Sequence, residues 1–594
     1  MRDGRGRDGS GSGTTTRRQV LASASALTLS GLAGCSSDPD DVKHATDVFG
    51  HAFPYATESV QLNPWLSGSY PWHFYTMLFE VQSVQRPGGE RRLGDVVEDV
   101  TIDETTATVT YSDEFSWWNG KPVTARDQWV YERIQSAVSD EDRPAVTLRD
   151  EHTLVYEFDR ALAEPLVLSH VVGGAVNTPA WLFEQWVDRL DAASTSATRE
   201  DVVSELHEWR VSLEDAAEKG VGCGPYELVE ASMNRLMLER FEDHPRADDI
   251  AVPTLWFPVV QSVSLDKFVQ QGTLDGGSGL LTGLKGSPAD NVDQIARYPT
   301  TGGTKLALDW RNAHLGRLAV RRALLAALPL DDVVDVGGFG EATTRQTGMA
   351  TPAERRWLDE DVLADLREYP VESDTERAAE YMRSAGYTRD DGDWYDPDGE
   401  SVWFRLRTPM WPDWKASAEL VDQALTEFGF DVDFSQIPAP RLVTDVDTHN
   451  FDVLLWPSDG SPHTLYDVTA TGTTALGYGV TDPTTETSAH GKPVEVTIPA
   501  AGGDDERTVN LVDQWRRLGS QSDRETTADA VAAFARWWNH ALPDIHVATS
   551  VSGTWGNTRD FEWVGDDDAY RTAGPENQSA FYALKHGLVR PGDS

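Results

Sequence analysis

An α/β fold spread over two or three domains is what this sequence predicts, on three observations. A chain of 594 residues is longer than one ordinary core can serve, and 39% hydrophobic residues, with 21 Trp, 19 Phe and 16 Tyr, supply material for several. Between Arg317 and Trp456 helical and strand periodicities alternate, as they do where parallel strands are joined across helices. Nearer the N-terminus, TATVTYSDEFSWW (Thr106–Trp118) alternates with period two, the mark of a half-buried strand.

Along the chain, RRQVLASASALTLSGLAGC (Arg17–Cys35) comes first. Its apolar run, Val20–Ala33, has 14 residues, short of the ~20 a membrane-spanning helix needs. Paired arginines, a modest apolar stretch and small residues before Cys35 describe an export signal. TRRQVL (Thr16–Leu21) resembles the twin-arginine signal, with Val20 where Phe is usual. LAGC (Leu32–Cys35) resembles a lipobox, whose cysteine accepts lipid and becomes the first residue after cleavage. SSDPDD (Ser36–Asp41) then reads as a polar tether.

After the strand at Thr106, Asn119-Gly120 signals a tight turn, and TARD (Thr124–Asp127) is a capping box that opens a helix through QWVYERI. RLAVRRALLAAL (Arg317–Leu328) has helical apolar spacing with arginines opposite; Arg321 and Arg322 are expected to pair with carboxylates. ERAAEYMRSAGY (Glu376–Tyr387) is a second helix stopped by Gly386, and SAELVDQALTEFGFDVDF (Ser417–Phe434) reads as helix, Gly429 stop and strand. NFDVLLW (Asn450–Trp456) reads as a buried strand. Thr471–Val496, rich in Gly, Thr and Pro, reads as a surface loop, and AAGGDDER (Ala500–Arg507) as a crossover between domains. NLVDQWRRL (Asn510–Leu518) and TADAVAAFARWWNHAL (Thr527–Leu542) show helical patterns.

Charge and chemistry narrow the function classes. The formal net charge is −46 although the first 34 residues are net positive, and only nine Lys stand beside 42 Arg. No basic stripe follows Arg18, which excludes nucleic acid as a partner, because its phosphates demand clustered cations. Self-repulsion at this density is tolerable where molar salt shortens the Debye length to ~3 Å, and the composition resembles that of proteins from extreme halophiles. With Cys35 consumed by lipid, Cys223 has no partner for a disulfide. The chain lacks GxxxxGK[ST], HExxH, EF-hand and GxSxG signatures. Among 97 carboxylates an adjacent pair such as Glu242 and Asp243 arises by chance and does not argue for general acid–base work. His540 and His546 read as surface or core residues, not as a metal pair. Asn577 in NQS fits a glycosylation sequon.

Five segments, in order, carry a family resemblance. FSWWNGKPVTARDQWVY (Phe115–Tyr131), GCGPYELVE (Gly222–Glu230), DWRNAHLGRLAVRRALLAAL (Asp309–Leu328), AAEYMRSAGYTRDDGDWYDPDGE (Ala378–Glu400), and Ser417–Phe434 followed by NFDVLLWPSDG (Asn450–Gly460) look like extracytoplasmic solute-binding proteins. That family, family 5, feeds ABC importers of oligopeptides, dipeptides, nickel and related solutes; Cys223 stands where it usually has Thr. By their own chemistry Gly120, Gly222, Gly224 and Pro225 serve backbone turns and Trp117 and Trp118 pack a core.

The resemblance implies an α/β, two-lobed periplasmic-binding-protein-like fold of the cluster C type, with an extra subdomain in the N-terminal half. The expected division is 1–34 twin-arginine lipoprotein signal, 35–45 tether, 46–70, 222–303 and 500–594 first lobe, 71–221 additional subdomain, and 304–499 second lobe. It implies a receptor, not an enzyme, with neither cofactor nor metal: it captures a small solute, peptide or peptide-like, between the lobes and delivers it to ABC permease subunits. Lipid on Cys35, after export directed by Arg17 and Arg18, would hold it on the outer face of the cytoplasmic membrane. In peptide-binding relatives an Asp three residues after a Trp at the end of this strand meets the peptide α-ammonium, and Trp456 and Asp459 reproduce that spacing. Trp456 and Trp411 are expected to wall the ligand and Arg407 to meet its carboxylate. A sugar oligomer or a metal chelate, the latter with His463 near Asp459, stays open as an alternative ligand, and a surface hydrolase as an alternative class.

Overall fold

The computed structural model describes residues 48–592 except 54–56, 67–73, 87–90, 140–142, 261, 282–285, 439–440, 442–447, 449, 459–494, 500–505, 512–523, 566 and 571–578. The expected export signal and tether, with Arg17, Arg18 and Cys35, lie outside the described residues, as do Asp459, His463 and Asn577. No helix among the described residues is long and apolar enough to cross a membrane.

The first half contributes β1 (Val48–Gly50), β2 (Ser83–Gln85), β3 (Arg91–Leu93), β4 (Val97–Asp103), β5 (Thr106–Tyr111), α1 (Ala125–Val138), β6 (Ala145–Leu148), β7 (Thr153–Glu157), α2 (Ala180–Ala192), β8 (Tyr226–Ala231), β9 (Arg235–Arg240) and β10 (Thr254–Pro258), among shorter elements. One sheet runs β1-β10-β9-β8, with β1 parallel to β10; an antiparallel sheet runs β4-β5-β7-β6. Period two holds in β5, where Ala107, Val109 and Tyr111 are buried, but the strand stops at Tyr111, short of the expected Trp118. Ser112 N instead reaches Val96 O at 3.1 Å, and the chain turns away through Asp113 and Glu114.

The capping box forms as expected, and it does more than cap. Thr124 N donates to Asp127 Oδ2 at 2.8 Å, while Asp127 Oδ1 accepts from Ala180 N at 2.6 Å, so one carboxylate opens α1 and ties it to α2. Burial raises the Asp127 pKa to about 6. Gly120 makes its turn at φ +75, and a Cβ at Gly222 would sit 2.3 Å from the Trp118 ring, so close approach explains that glycine.

The second half contributes β11 (Gly276–Ser278), β12 (Val292–Leu308), α3 (Leu318–Ala327), α4 (Leu330–Gly337), α5 (Thr351–Trp357), α6 (Thr375–Ser384), β13 (Trp403–Pro409), α7 (Pro412–Phe428), β14 (Asp431–Ile437), β15 (Val453–Ser458), β16 (Glu495–Pro499), β17 (Glu506–Asn510), α8 (Arg524–Ala541), β18 (Ile545–Asn557) and α9 (Ser579–Lys585). Its large sheet runs β11-β18-β12-β15-β13-β14, with β13 parallel to both β14 and β15. The parallel pairing follows from the crossover: α7 ends at Gly429, left-handed at φ 103, and its Val421, Leu425 and Phe428 bury against Phe404, Leu406, Val453 and Leu455. Each such side chain contributes about 1.5–3 kcal/mol.

Two cores share β12. Ala296 and Tyr298 enter the first, with Phe49, Leu238 and Phe581; Leu306 and Leu308 enter the second, with Ile545 and Val547 of β18. Between them the ladder with β18 loses register from Pro299 to Gly303, where Thr300 Oγ1 donates to Ser550 O at 3.2 Å. Residues 500–505 of the expected crossover lie outside the described residues, and its flanks form the hairpin β16–β17, whose Val496, Ile498 and Val509 pack with Val531 and Phe534 of α8. Arg321 and Arg322, expected to meet carboxylates, instead bind backbone: Arg321 reaches Ala541 O at 2.8 and 2.9 Å and Arg322 reaches His540 O at 3.1 Å. The carbonyl end of α8 carries partial negative charge that a guanidinium satisfies.

Candidate functional site

In an α/β sheet the crevice outside the carboxyl ends of parallel strands is the usual binding place, and here those ends belong to β13 and β15. Leu406 lies opposite Val453 and Arg407 opposite Leu454. Leu406, Val453 and Leu455 enter the second core, so alternation turns Arg407, Leu454 and Trp456 to the other face. There Trp456 is half-buried against Ala307, Ile437, Phe451 and Leu454. Trp456 is level with Lys305 of β12, and Lys305 with His546 of β18, which makes a row across three neighbouring strands.

Charge on this face is paired at close quarters. Lys305, 4% exposed, lies 3.7 Å from Asp544 Oδ2, and the other Asp544 oxygen accepts from Leu308 N at 2.9 Å. Burial first, then the nearby Lys305 charge, lowers the His546 pKa to about 4, so the ring is neutral at neutral pH. Arg407 donates to Asp433 Oδ2 at 2.8 Å and to the carbonyls of Asp433 and Leu406. The Arg407 side chain is 10% exposed and that of Asp433 63%, so the pair has one buried and one solvated end. Arg405, two residues earlier, grips Asp452 through two bonds of 3.0 Å.

Trp411 follows β13 by two residues, 38% exposed at the N-cap of α7, edge-on to Trp414 at 5.3 Å. With Met410, also exposed, it forms an apolar platform at the same end of the sheet as Trp456. Register thus brings Arg407 and Trp456 to one face and sets Trp411 at their end, while Asp459 lies outside the described residues. Lys305 escapes sequence reading, and His546, expected as a surface or core residue, is buried; only strand pairing sets the two in one row with Trp456, and the one cue is that a chain with nine lysines spends one on a buried strand. The arrangement can hold a solute by aromatic contact and by charge. Cys223 is buried elsewhere and donates to Val176 O at 3.2 Å, a bond the expected Thr hydroxyl would also make.

A family model for bacterial extracellular solute-binding proteins, family 5 Middle, matches residues 64–476. No curated protein matches the sequence. Among solved structures, the oligopeptide-binding protein AppA from Bacillus subtilis, in complex with a nonapeptide, superposes with a TM-score of 0.60 at 13% identity, over 92% of this chain and 98% of that one. A mannohexaose-bound oligopeptide-binding protein of an ABC transporter from Thermotoga maritima gives 0.65 at 15%, over 92% and 99%. NikZ from Campylobacter jejuni, with Ni(L-His), gives 0.61 at 15%, over 92% and 100%. At these identities the likeness establishes the fold, a mixed α/β architecture of two lobes.

Proposed function

Because the chain belongs to the bacterial extracellular solute-binding proteins of family 5, we propose that it captures a peptide or peptide-like solute between its two lobes and passes it to the permease of an ABC importer. The observation that carries this reading is the face at the carboxyl ends of β13 and β15. Trp456 and Trp411 offer apolar walls there, and Arg407, paired with Asp433, offers a cation. Asp459, next in the chain after Ser458, would meet the α-ammonium, and enclosure would protect that pair from screening by salt.

The chain crosses from the first lobe to the second along β12 and returns along β18, with the register break at Pro299–Gly303 as the hinge. Contacts made to both lobes exist only when they are closed, so the solute shifts the population toward closure, and no covalent step is involved. Export directed by Arg17 and Arg18, lipid on Cys35 and an acidic surface suited to high salt place the receptor on the outer face of the membrane.

The relatives that hold mannohexaose and Ni(L-His) set the second reading, and the exposed Trp411 platform favours a sugar ring within it. Native mass spectrometry of the chain purified in molar KCl separates them. A co-purifying or added peptide adduct supports the proposal; a glycan or chelate adduct with no peptide binding moves the assignment to the second reading. Turnover of an added substrate would overturn both.

A further inference from the structure

The two strands that pair with β15, β12 and β13, carry Lys305, Arg405 and Arg407, and these cations differ in how far they are committed. Arg407 donates to Asp433 Oδ2 at 2.8 Å, and Arg405 holds Asp452 through two bonds. Lys305 Nζ makes no hydrogen bond to any described residue, and its ion-pair partner, Asp544 Oδ2, stands off at 3.7 Å. An ammonium has three N–H donors, and this one sits on a residue only 4% exposed. A buried donor without an acceptor is costly, so the position asks what Lys305 is kept for.

Its place in the sheet gives the answer. Lys305 follows Gly303 by two residues, just where the ladder with β18 resumes beyond the hinge, and it is level with Trp456 on one side and His546 on the other. An indole and an imidazole therefore flank it in cross-strand pairs. A Cβ at Gly303 would lie 2.6 Å from His546 Nε2, so glycine at the hinge makes room for that ring. Asp544 is fixed in turn, since its Oδ1 accepts from Leu308 N at 2.9 Å.

We propose that Lys305 donates to an uncharged oxygen of the solute, a main-chain carbonyl of the bound peptide, with Asp544 as the positioning residue that holds the ammonium beside the hinge. The assignment rests on the reading that a peptide lies against this face. Charge decides between a carbonyl and a carboxylate. Lys305 and Asp544 cancel and His546 is neutral, so these three groups compensate no incoming carboxylate, and an uncompensated buried charge is the expensive case. A carbonyl brings no net charge and still gains the stronger hydrogen bond that a charged donor makes. Enclosure keeps that bond effective in molar salt, where exposed charges are screened within ~3 Å.

The test is titration calorimetry of the full chain in molar KCl with tri-alanine and penta-alanine, each as the free acid and as the C-terminal amide. Lys305→Met combined with Asp544→Asn removes the donor without stranding a buried carboxylate, and Asn keeps the acceptor for Leu308 N. This double variant should bind both forms of each peptide roughly tenfold or more weakly, with its urea unfolding midpoint retained. Exchanging the peptide carbonyls one at a time for thiocarbonyls, which are poorer acceptors, adds a readout that a merely structural lysine would not move. One position should weaken binding to the unaltered chain, and that loss should vanish in the double variant. Unchanged affinity in the double variant, a loss confined to the free acids, or no thiocarbonyl position that weakens binding to the unaltered chain would each overturn the assignment while leaving peptide capture standing. Failure of the unaltered chain to bind any of the peptides would instead overturn the peptide reading, and this assignment with it.

Discussion

Replacing Lys585 with Met keeps the aliphatic stem but deletes the buried ammonium at the end of α9, which faces Glu80 and also donates to Thr76 O at 3.0 Å. Glu80 is 6% exposed at its side chain, with Lys585 Nζ at 3.0 Å and His244 Nε2 at 3.4 Å. Burial alone would raise its pKa, but Lys585, then His244, outweigh it and set the value near 2 against an ordinary 4.5. A carboxylate depressed this far stabilises the fold by about 3 kcal/mol; that contribution is complete above pH 4.5 and is lost as the pH falls toward 2. Without Lys585 the burial effect is left standing, and breaking a buried pair by removing one partner costs about 3–5 kcal/mol at pH 7. The cost should fall by roughly half at pH 4, because a protonated Glu80 needs no cation. Urea unfolding followed by Trp fluorescence in molar KCl, at pH 7 and pH 4, measures it. Adding Glu80→Gln to the variant should recover most of the loss. A penalty equal at both pH values, or one that Glu80→Gln deepens, would show that Lys585 acts by packing and not by charge.

Other expectations are as direct. Asp459→Asn should weaken peptide capture about tenfold or more, roughly 1.4 kcal/mol by titration calorimetry; unchanged affinity would remove the α-amine assignment. Gly222→Ala forces a Cβ to within 2.3 Å of the Trp118 ring and should cost about 1–3 kcal/mol in urea unfolding, whereas a neutral result would mean that the ring moves freely aside. Cys35→Ser should release the protein from the membrane fraction into the medium, and retention in that variant would rule out the lipid anchor.

The local patterns were legible because they are decided by neighbours in sequence. The Thr124–Asp127 box, the Gly429 stop before β14, the burial alternation in β5 and the apolar stripe of α8 each rest on residues a few positions apart. The longest strand was not legible. β12 carries Pro299, Gly302 and Gly303, residue types that break strands, and it stays a strand because β18 pairs with it before and after the break and β15 from Gly303 onward. Tertiary context likewise sent Arg321 and Arg322 to the carbonyl end of α8, which no carboxylate pattern near them could reveal. For the site, the aromatic residues stood out by type, but the common face of Arg407 and Trp456, and the presence of Lys305 beside them, follow only from register between strands far apart in the chain.

Solute capture between two lobes is tested most directly by the distance between them. Cysteines introduced at Val229 on β8 and Val336 on α4, which are 47% and 50% exposed, can carry spin labels. Cys223 will not compete, because burial pushes its thiol far above the ordinary range. Pulsed electron resonance with and without the solute identified by mass spectrometry should show the interlabel distance shorten and its distribution narrow. Saturated binding with an unchanged distance would contradict a receptor that closes on its ligand.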